Sequence, residues 1–159
     1  METELNKNIS LLDEARLQAD ILIPVLNALR KRIGADNANW IVFGALRNKL
    51  RTYYQELSIR TDGGPREKWT AMSSAMFAKI GSDIDIEWIN TELESLTFNV
   101  KRCRYAELFR EMGEPELGSV LMCELDNHIA LAAGSEIELV RKTTLMHGDG
   151  CCEFRYRIK

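Results

Sequence analysis

The stretch IDIEWINTELESLTFNV, residues 84–100, changes the hydrophobic period of the chain and decides the fold. Apolar and polar side chains alternate within it on both sides of a polar connection, Asn90 to Ser95. A period of two is typical of half-buried strands, and two such runs in succession predict a β-hairpin.

Three helices are predicted before the hairpin. Apolar residues recur at helical spacing from about Ile9 to Ile33, from about Asp36 to just before Thr61, and from Pro65 to about Ile80. Pro24 lies inside the first run and is expected to kink or split that helix. Asp36 is a favourable N-cap for the second helix.

Two helices and two strands are predicted after the hairpin. The helices run from Tyr105 to Met112 and from Pro115 to about Ala133, and the strands from Ile137 to Met146 and from Cys152 to Ile158. Because the strands come in consecutive pairs, the expected fold class is α+β, with N-terminal helices packed on one side of a roughly four-stranded antiparallel sheet.

Length and charge limit the kind of protein. A chain of 159 residues is expected to form one domain, 1–159, with a helical half of about 1–81 and a half of about 82–159 that carries the site. The net charge of −3 gives no electrostatic reason to expect nucleic acid or an anionic membrane as partner. The N-terminus lacks the basic and apolar regions of a signal peptide, so a cytoplasmic location is expected. The long amphipathic N-terminal helices could also pack against another copy, which leaves a homo-oligomer open.

The reactive side chains are concentrated in two stretches. VKRCRYAELFREMGEPELGSVLMCELDNH (Val100–His128) and HGDGCCEFRY (His147–Tyr156) together contain all four cysteines and both histidines. A reducing cytosol disfavours disulfides, so the cysteines are expected to be free thiols that are buried, metal-bound or catalytic.

Cys123 and Asp126 are the central candidate pair. They lie three residues apart on a predicted helix, so they share one face and can reach one substrate together. The simpler alternative is a buried cysteine that fills space and an aspartate on the surface. Strand parity places Cys152 on the inward face, where cysteines are also common as core residues. It places Cys103 on the outward, polar face with Lys101, unless the strand has already ended there.

Basic side chains are candidates for holding the substrate. A guanidinium group binds a carboxylate through two parallel hydrogen bonds, so Arg102, Arg104, Arg141 and Arg155 are candidates, although each is more often a solvated charge. His147 precedes a glycine-rich turn and could move protons near neutral pH, or it could be a solvated turn residue.

The ordered set of motifs resembles the L-2-amino-thiazoline-4-carboxylic acid hydrolase family. The matching positions are Cys103, Tyr105-Ala106-Glu107, Gly113 to Leu117, Cys123 with Asp126, and Cys152 with Phe154. They cover roughly the last 60 residues, and the doubled Cys151-Cys152 departs from the pattern. The resemblance implies a small-molecule substrate, a cyclic amidine, whose thiazoline ring is opened toward an N-carbamoyl-cysteine product.

Two mechanisms fit the catalytic candidates Cys103, Cys123, Asp126 and Cys152. In one, the three cysteines together with Asp126 or a histidine hold zinc, which activates a water molecule, although the spacing is not a C-x-x-C signature. In the other, which we favour, no metal takes part: a thiolate, best assigned to Cys123, attacks the ring carbon and Asp126 acts as acid, base or orienting group. The alternative function is a non-catalytic ligand- or metal-binding domain that uses the same cysteines.

Overall fold

A computed structural model of the protein describes residues 9–92 and 94–159. Residues 1–8, part of the N-terminus to which the signal-peptide argument applies, and Leu93, in the predicted hairpin connection, lie outside this description. The chain is α+β, as predicted: N-terminal helices pack against a four-stranded antiparallel sheet. No helix within the described residues has the length and apolar character needed to span a membrane.

Three helices form the N-terminal half: α1 (Leu11–Ile33), α2 (Ala35–Arg60) and α3 (Pro65–Ile80). Pro24 does not split α1, so that part of the prediction is wrong. The predicted N-cap of α2 is also wrong. Gly34 is the cap residue, and Asp36 lies in the first turn of the helix. Gly34 adopts φ of +86°, a conformation that glycine tolerates and that lets two long helices join through one residue.

The hairpin strands are longer than predicted, β1 being Ile84–Glu92 and β2 Ser95–Cys103. A short helix, α4 (Arg104–Glu111), follows β2 directly, close to its predicted position. The strand order in the sheet is β1-β2-β4-β3, in which β4 is Cys152–Ile158 and β3 is Ile137–Val140. The last strand therefore inserts between the hairpin and β3, with antiparallel pairing on both sides.

The long helix predicted from Pro115 to Ala133 is interrupted. It consists of α5 (Pro115–Gly118), a π-helical turn (Ser119–Cys123) and α6 (Leu125–Ala133). The amide N–H of Glu124 donates to the carbonyl of Ser119 at 2.9 Å, the five-residue spacing that defines a π-turn. Such turns widen a helix locally and often occur at functional sites.

The strand predicted from Ile137 to Met146 is also shorter than expected. β3 ends at Val140, and the chain leaves the sheet before a 3₁₀ turn at Leu145–His147. Side-chain hydrogen bonds replace the strand pairing there. The Thr144 N–H donates to Asp149 Oδ2 at 2.8 Å, and the His147 N–H donates to Thr144 Oγ1 at 3.3 Å.

Two hydrophobic clusters make up the interior. One joins α1 and α2 to α4 and α5, and the other joins α3 and α6 to the inner face of the sheet. In the second cluster, the rings of Phe98 and Phe154 stack with their centroids 4.7 Å apart. Cys103 and Met122 pack against both clusters, so the candidate residues lie where the two clusters meet.

Candidate functional site

A small cavity of about 70 Å³ lies at this junction, which we call the site cavity. All four predicted catalytic residues line its wall: Cys103, Cys123, Asp126 and Cys152. They come from the end of β2, the π-turn, the first turn of α6 and the start of β4, so distant parts of the sequence are brought together. Arg141, from the segment after β3, is the only guanidinium among the residues described on this wall.

A β-bulge explains how Cys103 reaches the cavity against its strand parity. Asp85 pairs with Arg102 and Ile86 pairs with Val100, so Lys101 is an extra residue on β2. Lys101 and Arg102 are both exposed, whereas Val100 is buried and Cys103 is partly buried. A bulge that adds one residue reverses the alternation beyond it. Cys103 therefore faces inward, and its predicted place on the polar face is wrong.

The π-turn ends at Cys123, and Asp126 follows in the first turn of α6. Both side chains reach the same cavity, as their spacing of three predicted. An acidic residue in the first turn of a helix is also favoured by the helix dipole.

Asp126 is a nearly buried carboxyl group held by two partners. Its side chain is 13% exposed, and Oδ2 lies 3.6 Å from Arg141 Nη1. The Tyr156 hydroxyl donates to Oδ1 at 3.3 Å. Burial raises the pKa of Asp126 to about 6, although Arg141 and the Tyr156 hydrogen bond act in the opposite direction. A carboxyl group with this pKa can both accept and return a proton near neutral pH.

Arg141 contacts three other residues of the cavity wall, Asp126, Cys123 and Phe154. Its side chain is 10% exposed, and Nη2 donates to the carbonyl oxygen of Cys123 at 2.8 Å. Its guanidinium carbon lies 5.1 Å from the centre of the Phe154 ring, within cation–π range. The guanidinium group carries five N–H donors, so it can bind a carboxylate while it also donates to the Cys123 carbonyl oxygen.

The other basic candidates lie away from the site cavity. Arg102 pairs with Glu107 and Arg104 with Asp83, and both arginine side chains are about half exposed. Arg155 donates to the carbonyl of Phe98 and to neighbouring groups on the outer face of the sheet. His147 is exposed in the 3₁₀ turn and does not line the cavity. Of the arginines considered from the sequence, Arg141 alone has a placement that suits a ligand at this cavity.

Burial disfavours the thiolate form of the three cysteines on the cavity wall. All four cysteines are free, and burial raises the pKa of Cys103, Cys123 and Cys152, to about 12 for Cys123. The Leu145 N–H donates to Cys152 Sγ at 3.2 Å, which fixes that sulfur toward the cavity. Burial therefore disfavours a thiolate nucleophile at these cysteines near neutral pH.

Among residues 9–92 and 94–159, no group of three or more His, Cys, Asp or Glu side chains is arranged to hold a metal ion. The candidate zinc set of Cys103, Cys123 and Cys152 therefore has no support from this geometry, and zinc stays a hypothesis for measurement on the purified protein.

Comparison with known proteins bears on the whole chain. The family model described as L-2-amino-thiazoline-4-carboxylic acid hydrolase matches residues 14–156. No curated protein matches the chain significantly. The match extends beyond the C-terminal motifs that suggested the resemblance and includes most of α1 and the whole of α2 and α3. The chain belongs to the L-2-amino-thiazoline-4-carboxylic acid hydrolase family.

Proposed function

We propose that the protein hydrolyses a cyclic amidine of the thiazoline type and opens its ring by adding water to the amidine carbon. The observation that carries the proposal is the nearly buried Asp126 carboxyl group, whose raised pKa suits proton transfer and whose neighbours can hold an anionic substrate. Membership of a family named for such a hydrolase supports the reaction class.

The overall reaction adds one molecule of water. The water oxygen ends on the amidine carbon as a carbonyl group. One proton ends on the ring nitrogen and the other on the ring sulfur, as the carbon–sulfur bond breaks with its electron pair remaining on sulfur. The product is an open chain with a thiol at one end and a ureido group in place of the amidine.

Asp126 is proposed as the group that moves the proton. As a carboxylate it takes a proton from the attacking water, and as a carboxylic acid it returns that proton to the departing sulfur. A pKa near the working pH serves both steps, and positioned acid–base groups of this kind contribute roughly 10²- to 10⁴-fold in rate. Arg141 is proposed to bind a substrate carboxylate and keep the ring against Asp126.

Cys123 offers a second route through the same site. Its thiol would pass a proton to the Asp126 carboxylate and add to the amidine carbon, and the ring carbon–sulfur bond would break with its electron pair on the ring sulfur, which takes that proton. Water would then add to the same carbon and become its carbonyl oxygen, with one proton ending on the nitrogen and the other on the released Cys123 sulfur. The raised pKa of Cys123 disfavours this route until substrate is bound. Mass spectrometry of rapidly quenched protein distinguishes the two, because only the cysteine route leaves a covalent adduct.

The test is hydrolysis of L-2-amino-thiazoline-4-carboxylate by the purified protein, measured as release of new thiol. We expect thiol release by the wild type, a loss of at least about 100-fold in Asp126→Asn, and wild-type rates in the exposed control Asp20→Asn. Release of thiol at equal rates by Asp126→Asn would refute the role of Asp126. If calorimetry shows that the same compound binds but no thiol is released, the result would favour a non-catalytic ligand-binding domain. If the purified protein contains stoichiometric zinc that Cys123→Ser loses, the result would favour the metal route.

A further inference from the structure

A second and larger concavity adjoins the site. It has a volume of about 600 Å³ and lies between α1, α2, α3 and the segment Leu121–Leu125, and we call it the helical groove. Its wall is mainly aliphatic, aromatic and methionine side chains, with Glu14, Gln18, Lys49 and Lys79 as the charged and amide-bearing residues. The groove is in the size range of ligand sites, roughly 300–1,000 Å³, whereas the site cavity is well below it.

The groove and the site cavity share a wall. Met76, Met122 and Leu125 line both of them. Methionine is unbranched and adapts its shape readily, so a wall with two methionines can move aside for a ligand. A molecule lying in the groove can therefore extend one end toward Cys123 and Asp126.

Tyr54 provides a second link between the two spaces. It lines the groove, and its pKa is raised to about 12 by burial, by the neighbouring Tyr53 and by the charge of Asp126. The charge of Asp126 thus acts on a residue of the groove wall. The inner end of the groove is thus electrostatically connected to the proposed proton-transfer residue.

We propose that the helical groove binds an apolar substituent of the substrate, so that the substrate is a cyclic amidine carrying an apolar tail of several carbon atoms. The inference rests on the proposed function for the polar head and on the groove for the tail. The apolar wall of the groove favours an apolar tail on the substrate. Because Met76, Met122 and Leu125 line both spaces, a tail in the groove can be joined to a ring that reaches Asp126.

Chain-length dependence of binding tests the proposal without requiring turnover. The probes are 2-amino-2-thiazoline and its ring-substituted butyl and octyl derivatives, and the measurement is isothermal titration calorimetry with wild-type protein. We expect the dissociation constant to fall roughly fourfold for each methylene group that enters the groove, from the transfer free energy of a buried methylene.

A matched pair of variants on α3 locates the tail. Ala75 and Ala78 are both exposed, but only Ala75 lines the groove. Ala75→Trp should fill the groove and remove most of the gain of the octyl over the unsubstituted probe. Ala78→Trp should leave that gain unchanged. Circular dichroism and thermal unfolding of both variants confirm that they fold.

Three outcomes would overturn the proposal: affinity that does not change along the probe series, equal behaviour of the two variants, and a dimer in sedimentation that Ala75→Trp dissociates, which would make the groove a contact between copies. Failure of the proposed function looks different. In that case affinity still rises with chain length and Ala75→Trp still abolishes the rise, while neither the probes nor L-2-amino-thiazoline-4-carboxylate releases thiol.

Discussion

The Tyr156 hydroxyl donates a hydrogen bond to Asp126 Oδ1 at 3.3 Å, and this bond connects the last strand of the sheet to the first turn of α6. It stabilises the ionised carboxyl group, as does Arg141 on the other oxygen, and both oppose the effect of burial. The protonation of Asp126 near pH 6 is thus a balance that single substitutions can shift.

The first prediction concerns the pH dependence of hydrolysis. In the proposed mechanism Asp126 takes a proton from water and must be a carboxylate to do so, so kcat/KM should fall about tenfold per pH unit below about 6. Tyr156→Phe removes a hydrogen bond that favours the ionised form, so it should move this acid limb to higher pH. The measurement is a pH–rate profile of both proteins. An acid limb that stays in place or moves to lower pH would contradict the assignment of the limb to Asp126.

The second prediction concerns stability. The folded-state pKa of Asp126 is raised from 3.8 to about 6, so the folded protein binds more protons than the unfolded chain between these values, and stability falls as pH rises through them. Asp126→Asn removes this dependence. The free energy of unfolding of the variant relative to wild type should therefore rise between pH 4 and pH 7, by at most about 3 kcal/mol. Urea denaturation at both pH values measures it, and a constant difference would contradict it.

The orientation of the Cys103 side chain shows what could and could not be predicted from the sequence. Alternation correctly predicts two paired strands, because side-chain period follows directly from strand geometry. It fails at Lys101, because a bulge adds one residue without any change in local composition and reverses every side chain after it. Motif order indicated Cys103 as a site residue although strand parity opposed it.

The position of Arg141 could not be predicted from the sequence. It stood among several equivalent arginines in the sequence, and the strand predicted around it gave no reason to prefer it. Its side chain reaches the cavity because β3 ends at Val140 and the chain turns toward Cys123. Beyond the strand the chain makes tertiary hydrogen bonds, such as that of the Leu145 N–H to Cys152 Sγ, which sequence periodicity does not predict. The sequence could therefore indicate the cysteines and the aspartate that line the cavity but not which arginine lines it.

The third prediction concerns the reactivity of Cys123. Burial raises the pKa of its thiol to about 12, so little thiolate exists at neutral pH and iodoacetamide should modify Cys123 slowly at pH 7. The rate should rise about tenfold per pH unit from pH 8 to pH 10, because the thiolate fraction does so well below the pKa. Peptide mapping by mass spectrometry measures the rate at each cysteine. Rapid modification of Cys123 at pH 7 would contradict a protonated thiol and favour the cysteine route.

The last prediction concerns Gly118, which ends α5 immediately before the π-turn. A Cβ atom on Gly118 would lie 2.5 Å from Cγ of Phe109, a fully buried ring, and 2.8 Å from Cε of Met146. Gly118→Ala should therefore lower the free energy of unfolding by about 1–3 kcal/mol, since a packed core resists one added methyl group.

Gly44, inside α2, has no atom within 4 Å of the corresponding position, so Gly44→Ala should raise the free energy of unfolding by up to about 1 kcal/mol. Urea denaturation measures the free energy of unfolding of both variants. Equal changes in the two would contradict the prediction, because they would mean that α5 can shift away from Phe109 without loss of stability. Because α5 leads into the π-turn that carries Cys123, Gly118→Ala should also reduce hydrolysis, whereas Gly44→Ala should not.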